Sequence, residues 1–398
     1  METKEEKLNT NLSFIDDKNE TLGANRNIFQ RTSQKLKNIS TYSIPKKANN
    51  YKEWILSFRG GLIIFVLIFM TVLMFFINTQ EYYALFILAM IYSIFSASWD
   101  LLSGVTGQVS FGHAAFFGLG AYAIALLINL YTAVNLVLLM ILAGVLTVLF
   151  GLIIAVPSLR FRGPYLALGT LAFSLILYYV CQQPEYIDLF KQYILPYEID
   201  TIDLPLAIKV PYRGDLQRQL IFVLIVTVIC ITVLLVIYNS KLGKIFKGIR
   251  DDENAIKASG VNTWKYKLYA FMISAFFAGI AGALYCLHNG QATYFEFSTS
   301  LSFYPVIFAC LGGIAQISGA VMGAFTFVFV RQIIQEIFPL IVDFLPFFDS
   351  SQIIRYVDVL SLLIFAVILI VIIRFTERGV MEPLIKHSKT LWDLVSGK

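Results

Sequence analysis

Residues 220–262 read LIFVLIVTVICITVLLVIYNSKLGKIFKGIRDDENAIKASGVN. The stretch 220–238 carries no charge, and a helix of about 20 apolar residues crosses a bilayer. The stretch 239–267 holds seven Lys/Arg, at 241, 244, 247, 250, 257, 265 and 267. A second apolar run, YAFMISAFFAGIAGALY, follows at 269–285. Two spans joined by a charged segment too polar to enter lipid describe a chain that leaves the membrane and returns.

The composition agrees. Hydrophobic residues make up 58% of the chain and charged residues 14%, where a soluble domain has roughly a quarter charged. The alternating ten-residue segments of a transmembrane β-barrel are missing. The fold class expected is an all-α polytopic integral membrane protein with about 8–10 transmembrane helices, counting broken or re-entrant segments.

Spans are expected at 61–77, 83–102, 110–128, 134–156, 164–181, 219–238, 268–287 and 354–375. In 301–347, Pro305, Gly312, Gly313, Gly319 and Gly323 are expected to divide the chain into short half-helices, tolerated at membrane depth only inside protein. Residues 1–53 form a polar, disordered N-terminal extension, 54–380 the transmembrane domain and 381–398 a tail. No cleavable signal peptide is expected, and the first span serves as an uncleaved anchor.

Charge sets the orientation. Eight Lys/Arg against one acid lie between Arg26 and Arg59. Arg160 and Arg162 fall on the same side by span parity, and so does 239–267. The loop 182–218 holds four basic and six acidic residues and falls outside. Arg374 and Arg378 place the C-terminus with the N-terminus, in the cytoplasm.

Within 239–267, Leu242, Ile245, Phe246 and Ile249 share one face of a helix. Lys241, Lys244, Lys247 and Arg250 are expected to point to water or lipid headgroups. Asp251 is expected as the N-cap of a second, short helix, with Asp252 and Glu253 at its positive end. Ala255, Ile256 and Ser259 form a small face, and Gly260 ends the helix.

The stretch SGVTGQVSFGHAAFFGLGAY, 103–122, holds five glycines. It is no phosphate loop, since GxxxxGK[ST] does not occur. Gly112, Gly118 and Gly120 suit close helix packing. A broken helix beside a translocation path is the other reading, with Gly104, Gly107, Gln108, Ser110, Gly112 and His113 as its residues. For His113, an interior hydrogen bond and contact with solute both stand. Asp100 is expected to take a capping or interface role at the end of its span, and Glu296 to be structural. Cys181, Cys230, Cys286 and Cys310 lack metal-ligand spacing and read as packing residues. No metal, catalytic residue or cofactor is expected.

The sequence resembles the permease subunits of ATP-binding-cassette importers for branched-chain amino acids, the LivM-like branch. The resemblance covers roughly 83–181 and 239–381. It rests on WDLLSGVTGQVSFGHAAFFGLGAY, FRGPYLALGTLAF, SKLGKIFKGIRDDENAIKASGVNTWKYKLYAFMISAFFAGIAGALY, LGGIAQISGAVMGA and ERGV. Ala255 to Gly260 matches the end of the broader E-A-A-x-x-x-G signature, with Asn254 at its first place. The sequence departs after Phe173, where Ser174 and Leu175 replace a commonly acidic pattern, and at 181–200, where the usual TGG stretch is replaced.

The resemblance implies a translocating, non-enzymatic subunit in a bacterial cytoplasmic (inner) membrane. It implies ABC ATPase subunits docked at Asp251, Asp252, Glu253, Ala255, Ile256, Ser259 and Gly260. It also implies a second homologous permease chain and an extracytoplasmic solute-binding protein; no nucleic-acid partner is expected. An ion-coupled secondary transporter or channel is the alternative, and it would need intramembrane carboxylates or His relays. A membrane enzyme would need a nucleophile–base pair or metal cluster.

Overall fold

A computed structural model describes residues 80–130, 135–161, 163–183, 202–203 and 215–343, with a few positions between 363 and 370. The expected spans 61–77 and 354–375, the extension 1–53, most of the loop 182–218 and the tail 381–398 lie wholly or mainly outside these residues.

The described chain is helical. It comprises α1 (Gln80–Trp99), a π turn (Asp100–Val105), α2 (Ala114–Leu130), α3 (Leu136–Ser158), α4 (Pro164–Gln182), α5 (Leu216–Asn239), α6 (Lys241–Asp251) and α7 (Glu253–Ala258). There follow α8 (Thr263–Asn289), a 3-10 turn (Tyr294–Phe297), α9 (Thr299–Gly312) and α10 (Ile317–Asp343). Two two-residue strands, β1 (Ile202–Asp203) and β2 (Gln291–Ala292), pair antiparallel. Among the described residues six helices are long and apolar enough to cross a membrane, and α2 and α9 are shorter apolar helices. The protein is thus an all-α polytopic membrane protein.

α1 and α8 form the buried centre of the bundle. α2, α3 and α1 pack on α8, while α5 and α10 pack on α1. Bare backbone makes the closest crossing. A Cβ on Gly120 would overlap the Gly279 carbonyl, and one on Gly282 the Phe117 carbonyl. α2 and α8 therefore touch main chain to main chain, the contact that small residues permit in membranes. Outward faces of α3, α4 and α5 expose Ile153, Leu168 and Ile229, as lipid-facing surfaces do.

The region 301–347 departs from expectation. Among its described residues, 301–343, there is one break, not several. Pro305 lies inside α9 without ending it. Gly319 and Gly323 lie inside α10. Their small size serves packing, because a Cβ on Gly323 would overlap the Phe308 carbonyl and one on Gly319 would crowd the Gly312 and Gly313 carbonyls. The break falls between Gly312 and Ile317.

The third expected span also differs. The span expected at 110–128 becomes a non-helical segment, 106–113, followed by α2. The preceding span runs past 102 and ends in the π turn, a widening that in helices tends to mark functional positions.

Candidate functional site: the α6–α7 segment and the glycine-rich stretch beneath it

α6 begins at Ser240, whose side chain accepts from the Leu242 and Gly243 N–H groups. Its buried residues are Gly243, Phe246 and Ile249, with Leu242 and Ile245 half-buried beside them. The apolar face expected from the sequence is the face that docks. Two of the four cations on the other positions do not point away. Lys247 Nζ lies 3.4 Å above the Tyr238 ring, and Arg250 Nη1 donates to the Gly104 carbonyl at 3.1 Å. A cation finds a π face or a C-terminal helix carbonyl better than apolar surroundings.

The cap of α7 is shifted by one residue from expectation. Asp252, not Asp251, is the N-cap: its Oδ1 accepts from Asn254 N at 2.9 Å and Ala255 N at 3.0 Å. Asp252 has the extended backbone a cap needs, at φ −156° and ψ 101°. Asp251 instead closes α6 and pairs with Arg250 at 3.1 Å. Gly260, at φ 85°, turns the chain out of α7 as expected.

No residue of α7 is buried. Ala255 and Ser259 are exposed, while Ile256 is half-buried with its side chain against Gly248 of α6. The face is therefore two small exposed residues around a partly covered isoleucine. α7 is nonetheless fixed at its base. Glu253 Oε2 accepts from Lys267 Nζ at 2.7 Å, Oε1 pairs with Lys257 at 2.8 Å, and Thr263 Oγ1 donates to Oε1 at 3.2 Å. Burial alone would raise the Glu253 pKa, but the hydrogen bonds from Lys257 and Lys267 outweigh it and hold the carboxyl at about 2. Lys267 was not singled out in the sequence, where it is one more basic residue ahead of a span.

The glycine-rich stretch lies directly beneath. Gly107 has φ 74°, and a Cβ there would sit 2.9 Å from Arg250 Cγ. Gly107 and Gln108 line a cavity of about 270 Å³ together with Arg250, Asp252, Glu253 and Lys267. So Gly107 and Gln108 share one space with Asp251, Asp252 and Glu253, two groups of residues more than 140 positions apart in the sequence.

From there the stretch climbs into the bundle. Ser110 is buried, its carbonyl accepting from Trp99 Nε1 at 2.7 Å and its N–H donating to Ser103 Oγ at 3.1 Å. Gly112 lies against the Thr170 carbonyl. His113 is buried between Phe95 and Phe116, with Nε2 3.0 Å from Ser98 Oγ. This is the interior hydrogen bond among the two expected readings. Ser98 in turn accepts at its carbonyl from Ser274 Oγ at 2.7 Å. Ser274 lies eleven residues into α8, roughly 16 Å along its axis, so His113 sits near half depth.

Two helix N-termini meet at that depth. The Ala114 N–H, opening α2, donates to Ser302 Oγ in the first turn of α9 at 3.2 Å. Ser174 Oγ lies 3.5 Å from Ser302 Oγ and donates to the Phe297 carbonyl at 2.9 Å. Glu296 is structural as expected, accepting the Thr293 N–H and hydroxyl at 2.7 and 2.8 Å.

Asp100 bridges, but to a partner far along the chain. Its Oδ1 accepts the Ala315 N–H at 2.7 Å, in the turn between α9 and α10. Gly104 has no room for a side chain, since a Cβ would overlap Asp100 Oδ1. Among the described residues no group of three or more His, Cys, Asp or Glu could hold a metal.

A family model described as the permease component of branched-chain amino acid transport systems matches residues 82–373. The chain belongs to this family. Members of this permease family that it resembles include the High-affinity branched-chain amino acid transport system permease protein LivM of Escherichia coli and of Salmonella typhimurium. Each is 27% identical over 271 residues, covering 63% of this chain and 62% of the relative. The Probable branched-chain amino acid transport permease protein LivM of Methanocaldococcus jannaschii is 28% identical over 200 residues, 49% of this chain and 55% of the relative. The chain thus spans less than two thirds of the length of the curated relatives it matches. No solved structure matches this chain.

Proposed function

We propose that the protein is a membrane-spanning permease subunit of an ATP-binding-cassette importer for branched-chain or related amino acids. α7 is its coupling helix: Asp252 caps it, Glu253 fixes its base, and Ala255 and Ser259 offer a small surface to a cleft on a separate ATPase. ATP hydrolysis belongs to those partner subunits. A second homologous permease chain completes the pore, and an extracytoplasmic binding protein delivers the solute. The complex lies in the bacterial cytoplasmic membrane with α6, α7 and both termini in the cytoplasm.

One observation carries this reading. No residue of α7 is fully buried, yet a carboxylate–lysine pair tethers it to the start of a buried membrane helix. A solvated loop helix has no need of such an anchor, whereas an element that transmits force does. The translocation path is proposed to pass Gly107 and Gln108, which line the open cavity beneath α6. Ser110, Gly112 and His113 form the wall that holds the N-termini of α2 and α9 at half depth. Helix N-termini so placed favour a carboxylate. The test is ATP-driven uptake of radiolabelled leucine, isoleucine and valine into vesicles holding this chain, its second permease and the ATPase subunits. Uptake that needs ATP and all chains supports the proposal; uptake driven by an ion gradient without ATPase subunits contradicts it.

A further inference from the structure

Ala315, in the turn between α9 and α10, is the one described non-glycine residue with a positive φ, 64°. A side chain disfavours that conformation, so neighbours must hold it. Side chains from two other elements hold both its backbone polar groups. Asp100 Oδ1 accepts its N–H at 2.7 Å, and the Tyr238 hydroxyl donates to its carbonyl at 3.2 Å.

Both holders are reached from α6. Arg250 donates to the Gly104 carbonyl at 3.1 Å, in the π turn that carries Asp100. Lys247 lies 3.4 Å over the ring of Tyr238. Lys247 and Arg250 are three residues apart and so neighbours on one helix face. Two routes thus leave one short helix and converge on one strained turn. Asp100 is fully buried.

We propose that Arg250 and Asp100 are positioning residues that pass displacement of α6 to the Ala315 turn, and so to the junction of α9 and α10. The inference rests on the reading of α7 as the ATPase-docking helix. In this proposal the turn moves between the left-handed conformation seen at Ala315 and a relaxed right-handed one, the two-state element that both sites bias. ATPase movement shifts α6 through α7; the Arg250 hydrogen bond moves the π turn, and Asp100 releases or retakes the Ala315 N–H.

The test uses a thiol the chain already has. Cys310 is half-buried in the last turn of α9. With Cys181, Cys230 and Cys286 replaced by alanine, the maleimide labelling rate of Cys310 is measured in the assembled complex with its ATPase subunits, with and without ATP plus vanadate. The nucleotide should change the rate about fivefold. Arg250→Ala and Asp100→Ala should remove that response while the ATPase subunits still co-purify at the parent's level. Arg250→Lys and Asp100→Asn keep a donor and an acceptor and should restore most of it. A merely structural role would not separate the conservative pair from the alanine pair. A full response in Arg250→Ala overturns the inference, as does a parent that shows none or an Arg250→Ala chain that no longer binds the ATPase. Should Asp100→Ala not fold, Arg250→Ala decides alone. Failure of the parent itself to bind ATPase subunits would instead sink the docking reading, and this inference with it.

Discussion

Lys267 Nζ lies 2.7 Å from Glu253 Oε2 and joins the first residue of α7 to the first turns of α8. The Lys267 side chain is only 11% exposed. The other charged partner of Glu253, Lys257, lies on α7 itself and is 44% exposed. Lys267→Met should weaken ATPase binding about tenfold, the worth of one hydrogen bond to a charged group. Lys257→Met should change it less than about twofold, as exposed i,i+4 pairs contribute little. Titration of fluorescent ATPase subunits against each variant measures both. Equal effects would mean that the tether to α8 has no special part.

The same carboxylate sets a pH dependence. Its folded pKa, about 2, lies below the ordinary glutamate value of 4.5. Its contribution is therefore complete above the ordinary value and is lost as the pH falls through the folded one. Amide exchange over 253–260, corrected for intrinsic rates, should stay constant from about pH 8 to 5 and rise below about pH 4. Loosening between neutrality and about pH 6 would point to a different anchor.

Gly120 meets the backbone carbonyl of Gly279, which cannot swing aside. Gly120→Leu should force α2 from α8 at a cost of about 1–3 kcal/mol. Its melting temperature in detergent should fall by several degrees. Gly169→Ala, where a Cβ would make an ordinary contact at 3.4 Å with Phe161, should melt with the parent. Similar melting of Gly120→Leu and the parent would mean the two helices do not touch as described.

Orientation is open to direct labelling. Ala255 is exposed, so a cysteine there is reachable from whichever side holds α7. Ala255→Cys should react with an impermeant maleimide in inside-out vesicles and not in intact cells. Reaction in intact cells would place the α6–α7 segment outside and remove any ATPase from reach.

Local signals made much of this legible in the sequence. Leu242, Ile245, Phe246 and Ile249 lie at helical spacing, and that face is the one buried. Gly260 ends α7 because a left-handed stop is a property of one residue. The one-residue error at Asp251 arose because two adjacent aspartates offer the same side chain, and only backbone angles decide which one caps. Pro305 and Gly319 misled because their usual effect on a helix was outweighed by contact between α9 and α10. The partners of Asp100, Arg250 and Lys247 lie 215, 146 and nine residues away. No periodicity connects such pairs, and Lys247 and Arg250 look like solvated cations until Tyr238 and Gly104 are placed beside them.

Docking at α7 is tested most directly by Ala255→Arg. Ala255 is exposed on a helix with no buried residue, so a long cation there disturbs no packing within the chain. In a close-packed contact with an ATPase, an unpaired buried charge costs about 3–5 kcal/mol, and about 5.5 kcal/mol corresponds to a ten-thousandfold loss of affinity. The measurement is co-purification of the ATPase subunits with the variant at equal membrane expression, alongside ATP-driven uptake. Loss of both, with insertion intact, is the expected result. Co-purification and uptake at the parent's level would show that residues 251–260 are an ordinary exposed segment.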